Sequence, residues 1–381
     1  MTAAVGRALH AAQLSFFRDP GERKPLELLA AWPTLVDVAQ AASQAGVTVS
    51  VLQACTHIQA LREGGVNYHF LPFGTGGARS LAGLERLLAD LRPDVLHVHG
   101  FFPHETAALA RLTPQIPVIV QDHASRPPPF WRRALWRRGL AHVAAVAFCA
   151  REQARPFVET RVLDAATPVY EIPESTSRFG TGDRLEARRE TGVTGEPALL
   201  WVGHLDENKD PLTVLAAVSA ATRVLPDLRL YCCFGTGRLL GAVRARIDAD
   251  PELRGRVQLL GRVAHERVER LMRAADVFVL GSHHEGSGYS LIEALACGLP
   301  PVVTDIPSFR VLTGRGAVGR LWPCGDSAAL TRALVAAGRA DPALRTAVRG
   351  HFVRELSFAA VGRKLSAMYA EVRERAGAPA E

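Results

Sequence analysis

Short apolar runs of about five to seven residues alternate with longer stretches of 3.6-residue periodicity along nearly the whole chain, and this alternation constrains the fold most. The strand-like runs include "VTVSVLQA", "VNYHFLPF", "DVLHVHG", "PVIVQDH" and "VAAVAFCA" in the first half. In the second half stand "ALLWVGH", "LRLYCCFG", "RVQLLG", "DVFVLGS" and "LPPVVT". Between them lie helical stretches such as "DPLTVLAAVSAATRVL" and "HERVERLMRAA". Continuously apolar strands separated by helices specify parallel sheets covered on both faces, an α/β architecture.

The 381 residues exceed what one core usually serves, which predicts two domains. The pattern breaks at 173–197, "PESTSRFGTGDRLEARRETGVTGEP", rich in Pro, Gly, Ser, Thr and charge. The expected division is therefore 1–173, then 174–358 with its sheet beginning at Ala198, then an amphipathic helix in 359–381. Two doubly wound, Rossmann-like domains would face a cleft, with the loops after their strands turned toward it. At 48% hydrophobic and 22% charged, the composition excludes a disordered chain. The net charge of +7 is carried almost wholly by arginine, for only Lys24, Lys209 and Lys364 are lysines. Arginines spread along the chain without a binding motif argue against nucleic acid as a partner. No apolar run approaches the roughly 20 residues of a membrane span, and the first residues lack a signal peptide's layout. Cysteines 55, 149, 232, 233, 297 and 324 show no regular spacing and read as buried free thiols of a cytoplasmic protein.

The segment "HEGSGYSLIEALACG", 284–298, holds the chemistry. A strand ends in "DVFVLGS", a loop follows, and "YSLIEALAC" has the apolar spacing of a helix, with Leu291, Ala294, Leu295 and Cys297 toward the core. A helix N-terminus offers unpaired N–H groups and partial positive charge to a phosphate. Gly286 and Gly288 permit close approach of the backbone. Glu293 would lie about 7.5 Å along the axis from the helix start, on one side of a diphosphate seated there, and Glu285 on the other. A nucleotide-sugar has that layout, with Glu285 accepting from sugar hydroxyls and Glu293 from ribose hydroxyls. The blander alternative is a loop glutamate in solvent and a helix glutamate in a favourable dipole. A second segment, "LLWVGHLDENKDPLTVL", is a strand, a loop and a helix opened by Asp210-Pro211, with Lys209 just ahead of it.

Together these segments resemble the retaining GT-B glycosyltransferases of family 4, with the E-x7-E signature at Glu285 and Glu293 and "GHLDENK" at the family's G-R-L-x3-K segment. Softer matches run through "RPDVLHVHG", "VQLLGRV", "RAADVFVLGS" and "GRLWPCGD". The resemblance implies a C-terminal domain that binds the nucleotide-sugar donor and an N-terminal domain that binds the acceptor. It implies that Glu285 holds the transferred sugar and Glu293 the ribose. Lys209 would contact the diphosphate beside the Ser290 and Leu291 N–H groups. Gly261, Arg262 and Val263 would hold the base, and His123 would face the sugar. The last helix would cross back to brace the first domain. Beyond the nucleotide-diphosphate sugar as co-substrate, no cofactor and no metal is expected. The sequence departs from the family where His204 replaces the arginine partner of the lysine, where "FFRDPGERKP" replaces a glycine-rich loop, and where "TDIPSFR" replaces a Gly-Gly turn.

In "HVHGFFPHE", His97 and His99 share a strand face; His104 is near, yet no third ligand converges for zinc. His99, at the strand end, is read as an acceptor-side residue. The stretch 126–142, "RPPPFWRRALWRRGLAH", interleaves arginines with Phe130, Trp131 and Trp136. It reads either as a peripheral contact with the inner face of a membrane or as a solvated helix with both tryptophans in the core. A hexosyltransferase that retains configuration and needs no metal is the expectation; a catalytically silent nucleotide- or partner-binding protein is the alternative.

Overall fold

The computed structural model describes residues 7–73, 81–338 and 343–377. Residues up to Thr176, joined by those from Phe358 onward, make one compact unit, and Ser177–Ser357 make the other. The first unit's leading segment ends at Thr176, three residues beyond the expected 173, and the second unit begins at Ser177. The first six residues, on which the leader reading partly rests, and the last four, 378–381, lie outside the described residues.

Among its described residues the first unit carries eight strands: β1 (His10–Ser15), β2 (Thr48–Ala54), β3 (Gln59–Glu63), β4 (Val66–Leu71), β5 (Val95–His99), β6 (Val118–Gln121), β7 (Ala145–Phe148) and β8 (Val169–Glu171). Their order is β3-β4-β2-β1-β5-β6-β7-β8, with every pair parallel except β3 and β4. That hairpin turns on Gly64-Gly65, both at positive φ, as a two-residue connection requires. One face packs Leu84, Leu88, Leu109 and Phe157 against Leu14, Leu52, Val98 and Val120. The other packs Val361, Leu365, Met368 and Tyr369 against Ala11, Val49, Val51 and Ile119.

Those last side chains belong to the helix Phe358–Gly377, so the closing helix is part of the first unit. It lies against the helix Pro33–Gln44 at Gly362, where a Cβ would fall inside van der Waals contact with the Ala41 carbonyl oxygen. Tyr369, fully buried, accepts a hydrogen bond from Gln13 Nε2 at 3.1 Å and sits 2.7 Å from His97 Nδ1. The phenol thus anchors the helix to β1 and β5 through polar groups that the sheet buries.

Among its described residues the second unit has six strands: β9 (Ala198–Gly203), β10 (Arg229–Phe234), β11 (Val257–Gly261), β12 (Val277–Leu280), β13 (Pro301–Thr304) and β14 (Arg320–Trp322). All pairs are parallel, in the order β11-β10-β9-β12-β13-β14. Counted from its own first strand this is 3-2-1-4-5-6, the doubly wound order, in which the chain reverses direction across the sheet at the β9/β12 pair. Ligands of such sheets bind outside the carboxyl ends of the strands at that reversal. Cysteines 55, 149, 232, 233 and 297 are free and buried, whereas Cys324 is exposed, a correction to the expectation for that residue. Among the described residues no helix is long and apolar enough to cross a membrane.

Replacing Gly362 by alanine should force the two helix backbones apart and destabilise the first unit by about 1–3 kcal/mol. Denaturant unfolding of G362A beside a solvent-facing control such as Gly241→Ala, whose Cβ would meet nothing within 4 Å, measures this; equal midpoints would show that the helix contact is looser than described.

Candidate functional site

At the reversal of the second sheet, the loop after β9 carries His204 to Asp210 and the loop after β12 carries His283 to Gly288. Several bonds lace the loops together. Asn208 Nδ2 donates to the His284 carbonyl at 2.9 Å, the His283 N–H donates to the Asn208 carbonyl at 2.8 Å, and His283 Nε2 lies 3.1 Å from Asp210 Oδ2. Asp210 also caps the helix Pro211–Ala221, accepting from the Thr213 N–H at 3.2 Å. Lys209 is aimed by its own N–H, which donates to Asp206 Oδ1 at 3.0 Å. Its Nζ forms an ion pair with Glu285, with side chains 16% and 13% exposed, so two predicted catalytic groups meet.

The helix after this loop runs Tyr289–Ala296, starting at the residue the sequence indicated. Gly288, its N-cap, stands at φ 75°, and a Cβ there would strike the Phe309 ring. Both facts make glycine necessary. Leu291 donates its N–H to the Gly288 carbonyl at 3.0 Å, so that donor is engaged within the first turn. Gly286 and Gly288 are buried, and Ser290 is half-buried in the same turn. His204 is exposed, and its Nδ1 accepts from the Thr236 N–H at 3.3 Å, with Thr236 Oγ1 at 2.9 Å. Acceptance at Nδ1 fixes the neutral tautomer as the one that carries its proton on Nε2. Gly261 ends β11 at φ 68°, with Arg262 exposed and Val263 half-buried after it, on the edge strand of the same end of the sheet.

Glu293 is 4% exposed. Its Oε1 lies 2.5 Å from Nε2 of His265, a residue that sequence reasoning did not single out. His265 opens the helix His265–Ala274, two residues after the Gly-Arg-Val run, and that adjacency was the available signal. Phe179 stacks on the imidazole with ring centroids 4.6 Å apart. The Phe179 segment is itself held, since Gly180 donates its N–H to Glu269 Oε1 and accepts from Arg273 Nε, both at 2.9 Å. Burial lifts the Glu293 carboxyl above its usual range, and the hydrogen bond from His265 opposes that rise. In return Glu293 raises His265 against the effect of partial burial.

In the first unit the strand ends place a second polar cluster. His123 Nδ1 lies 2.5 Å from Glu174 Oε2, and His123 Nε2 lies 3.2 Å from His99 Nδ1. His97 and His99 do share a face, with ring centroids 4.4 Å apart. Burial and neighbouring charge separate these imidazoles in behaviour. His97 is pushed down to about 3 by burial and by His123. Burial, then His97 and His123, hold His99 well below the ordinary range. Burial also opposes charge on His123, but Glu174 and Asp122 outweigh it and raise that residue. A proton on this cluster therefore resides on His123. Glu174 was hidden in the segment read as a boundary. Ser15, Phe17, Asp19, Arg23, Trp32, Gln53, His99, His123 and Glu174 are among the residues lining a cavity of about 660 Å³ at this edge. Among the described residues no group of three or more His, Cys, Asp or Glu is placed to hold a metal ion.

Residues 196–338 match the family described as glycosyl transferases group 1, and residues 33–173 match glycosyltransferase family 4. The chain is 28% identical over 278 residues to the GDP-mannose:cellobiosyl-diphosphopolyprenol alpha-mannosyltransferase of Xanthomonas campestris, covering 68% of this chain and 70% of that protein. It is 29% identical to the phosphatidyl-myo-inositol mannosyltransferase of Mycobacterium leprae, over 68% of this chain and 67% of the relative. Against the D-inositol 3-phosphate glycosyltransferase of Nocardia farcinica the match, 27% identical, spans 60% of this chain and only 55% of the relative's length. Among solved structures, sucrose-phosphate synthase from Thermosynechococcus elongatus superposes with a TM-score of 0.69 at 17% identity, over 96% of this chain and all of that one. Anabaena HepE in complex with UDP and glucose gives 0.67 at 16% identity, over 95% of this chain and 100% of that one. These likenesses show the GT-B fold.

His265→Ala should destabilise the second unit in a pH-dependent way. A raised imidazole contributes stability that is complete below its unfolded value near 6.5 and is lost as pH rises through the folded value. With His265 half exposed (52%), the difference should stay under about 1 kcal/mol and shrink above neutrality. Unfolding of wild type and variant from pH 5 to 9 reads it; a gap that widens with pH would contradict this assignment.

Proposed function

We propose that this chain, which belongs to the group 1, family 4 glycosyltransferases, moves a hexose-type sugar from a nucleotide-diphosphate sugar to an acceptor hydroxyl, with retention and without a metal ion. The observation that carries the reading is the meeting of Lys209 with Glu285 at the sheet reversal, with Glu293 in the helix that follows. Breaking the bond between the anomeric carbon and the β-phosphate oxygen puts positive charge on the sugar and negative charge on the leaving diphosphate. The Lys209 ammonium, the His204 Nε2–H and the N-terminus of the helix Tyr289–Ala296 supply the opposing charge and donors. Protein cations thus take the part a metal would otherwise play. Glu285 accepts from sugar hydroxyls, and Glu293 accepts from the ribose. In a front-face transfer the acceptor oxygen bonds to the anomeric carbon while its proton passes to the departing phosphate, so no covalent sugar–enzyme intermediate is needed.

Contact with a membrane surface belongs to the same proposal. The helix Phe130–Leu140 contains no acidic residue; Phe130 and Trp131 are 74% and 69% exposed. Only Trp136 is turned inward, with its ring 5.7 Å from Phe101, which corrects the alternative that placed both tryptophans in the core. Exposed aromatic rings beside Arg132 and Arg138 suit the headgroup layer of anionic lipid. Peripheral placement at the inner face of a membrane is what this surface supports. The second reading, a silent nucleotide-binding protein, rests on His204 standing where the family carries arginine, since imidazole lacks a permanent charge.

Thermal shifts with UDP, GDP, ADP and dTDP in EDTA test donor binding. One nucleotide at 100 times its dissociation constant should add about 2.7 kcal/mol, and much less in Glu293→Ala. Lys209→Ala should lower kcat with that donor by about 10²–10³-fold. Donor binding without transfer or slow donor hydrolysis would favour the silent reading, and the anomeric signal of the product by NMR decides retention. Sedimentation with phosphatidylglycerol vesicles should fall at high salt and in Trp131→Ala; salt-independent or absent binding removes the membrane contact.

A further inference from the structure

The cavity in the first unit is built like a site for one class of acceptor, and the proposal that follows rests on the glycosyltransferase reading. Its floor comes from side chains on one face of the sheet. Ser15 pairs with Gln53 in register between β1 and β2, and His99 ends β5 on the same face. Gln53 is fully buried, and its Nε2 donates to the Phe17 carbonyl at 2.7 Å and the Ala54 carbonyl at 3.0 Å. Those two bonds fix the amide orientation and leave Oε1 without a hydrogen-bond partner among the described residues. A buried acceptor left without a partner is costly, and a ligand hydroxyl would recover that cost.

The wall is of different character. Phe17 and Trp32 form a tilted pair with centroids 5.6 Å apart, and Leu35 and Phe102 add apolar surface. Charge in the lining is matched internally. Arg23 Nη1 bonds Asp19 Oδ1 at 2.7 Å, and His123 bonds Glu174. Each cation among the described lining residues already has its anion, so the cavity offers no spare charge to a phosphate or an ammonium group.

We propose that this cavity binds an uncharged, hydroxylated ring, a neutral saccharide or cyclitol, with its C–H face on Phe17 and Trp32 and its hydroxyl edge on Ser15, Gln53 Oε1 and His99. A purely aliphatic chain would leave the polar floor unpaired, and a charged acceptor would have to break an existing ion pair.

Saturation-transfer NMR on the full chain tests this without the donor, using methyl β-D-glucoside and myo-inositol against myo-inositol 1-phosphate and 2-deoxystreptamine. Transfer to the ring C–H protons of a neutral probe is expected, with at least tenfold weaker binding of the phosphorylated and aminated probes. Trp32→Leu and Gln53→Leu should each weaken the neutral probe about tenfold. Unchanged circular dichroism, and an unchanged nucleotide shift if the wild type shows one, establish that the variants fold. Charged probes that bind as well as neutral ones, neutral binding indifferent to both variants, or no saturable binding of either neutral ring would each overturn the proposal. Loss of the nucleotide shift in wild type would instead count against the donor reading, because that measurement reports on the second unit.

Discussion

The ion pair of Lys209 and Glu285 is the constraint around which the second unit is arranged. Two half-buried charges taken out of water lose hydration, and their attraction compensates only when neighbouring bonds hold the geometry. That support comes from the residues that flank the pair in the two loops: Asp206 accepts from the lysine's N–H, Asn208 clamps the His284 carbonyl, and Asp210 faces His283 while capping the next helix. The pair therefore does more than join two side chains. It ties two loops together at the place where the strand order of this sheet reverses. Under the proposed function, a geometry held by these bonds would leave little reorganisation for the reacting moment.

Both units repeat one device, an imidazole bonded to a carboxylate at the carboxyl edge of a parallel sheet, with the carboxylate the more buried partner in each and by the wider margin in the second. In the first, His123 is 36% and Glu174 16% exposed. In the second, His265 is 52% and Glu293 5% exposed. The buried carboxylate of the second unit needs its histidine to stay ionised. In the first unit the imidazole is the shared element, placed between Glu174 and a second imidazole, His99, that resists protonation. One arrangement secures an acceptor; the other holds a proton in place.

Much of this was legible in the residues. Continuous apolar strands specified parallel sheets, and the glycine before "YSLIEALAC" located a helix start to the residue. Lys209 and Glu285 were singled out because their types and positions had a chemical reason, and they do meet. The strand β1 escaped because Gln13 and Ser15 interrupt its apolar pattern, although both are buried. The hairpin strand β3 is mostly exposed and short, but the "EGGV" turn after it was a usable signal. Glu174 and His265 were beyond reach for another reason. Each acquires its role from a partner brought in by tertiary structure, 51 residues away from Glu174 in the case of His123 and 28 residues away in the case of His265. No local periodicity encodes such a pairing.

The closing helix also bears on how the chain is made. The first unit is discontinuous: the whole of Ser177–Ser357 is synthesised before the helix that covers one face of its sheet. Until Val361, Leu365, Met368 and Tyr369 emerge, the surface around Ala11, Val49 and Val51 lacks its partner, and Gln13 and His97 lack the phenol that pairs them. Domains fold as units during synthesis when their residues are contiguous. Here the second-made unit can finish first, and the earlier one must wait, apolar face uncovered, for the last helix to close it.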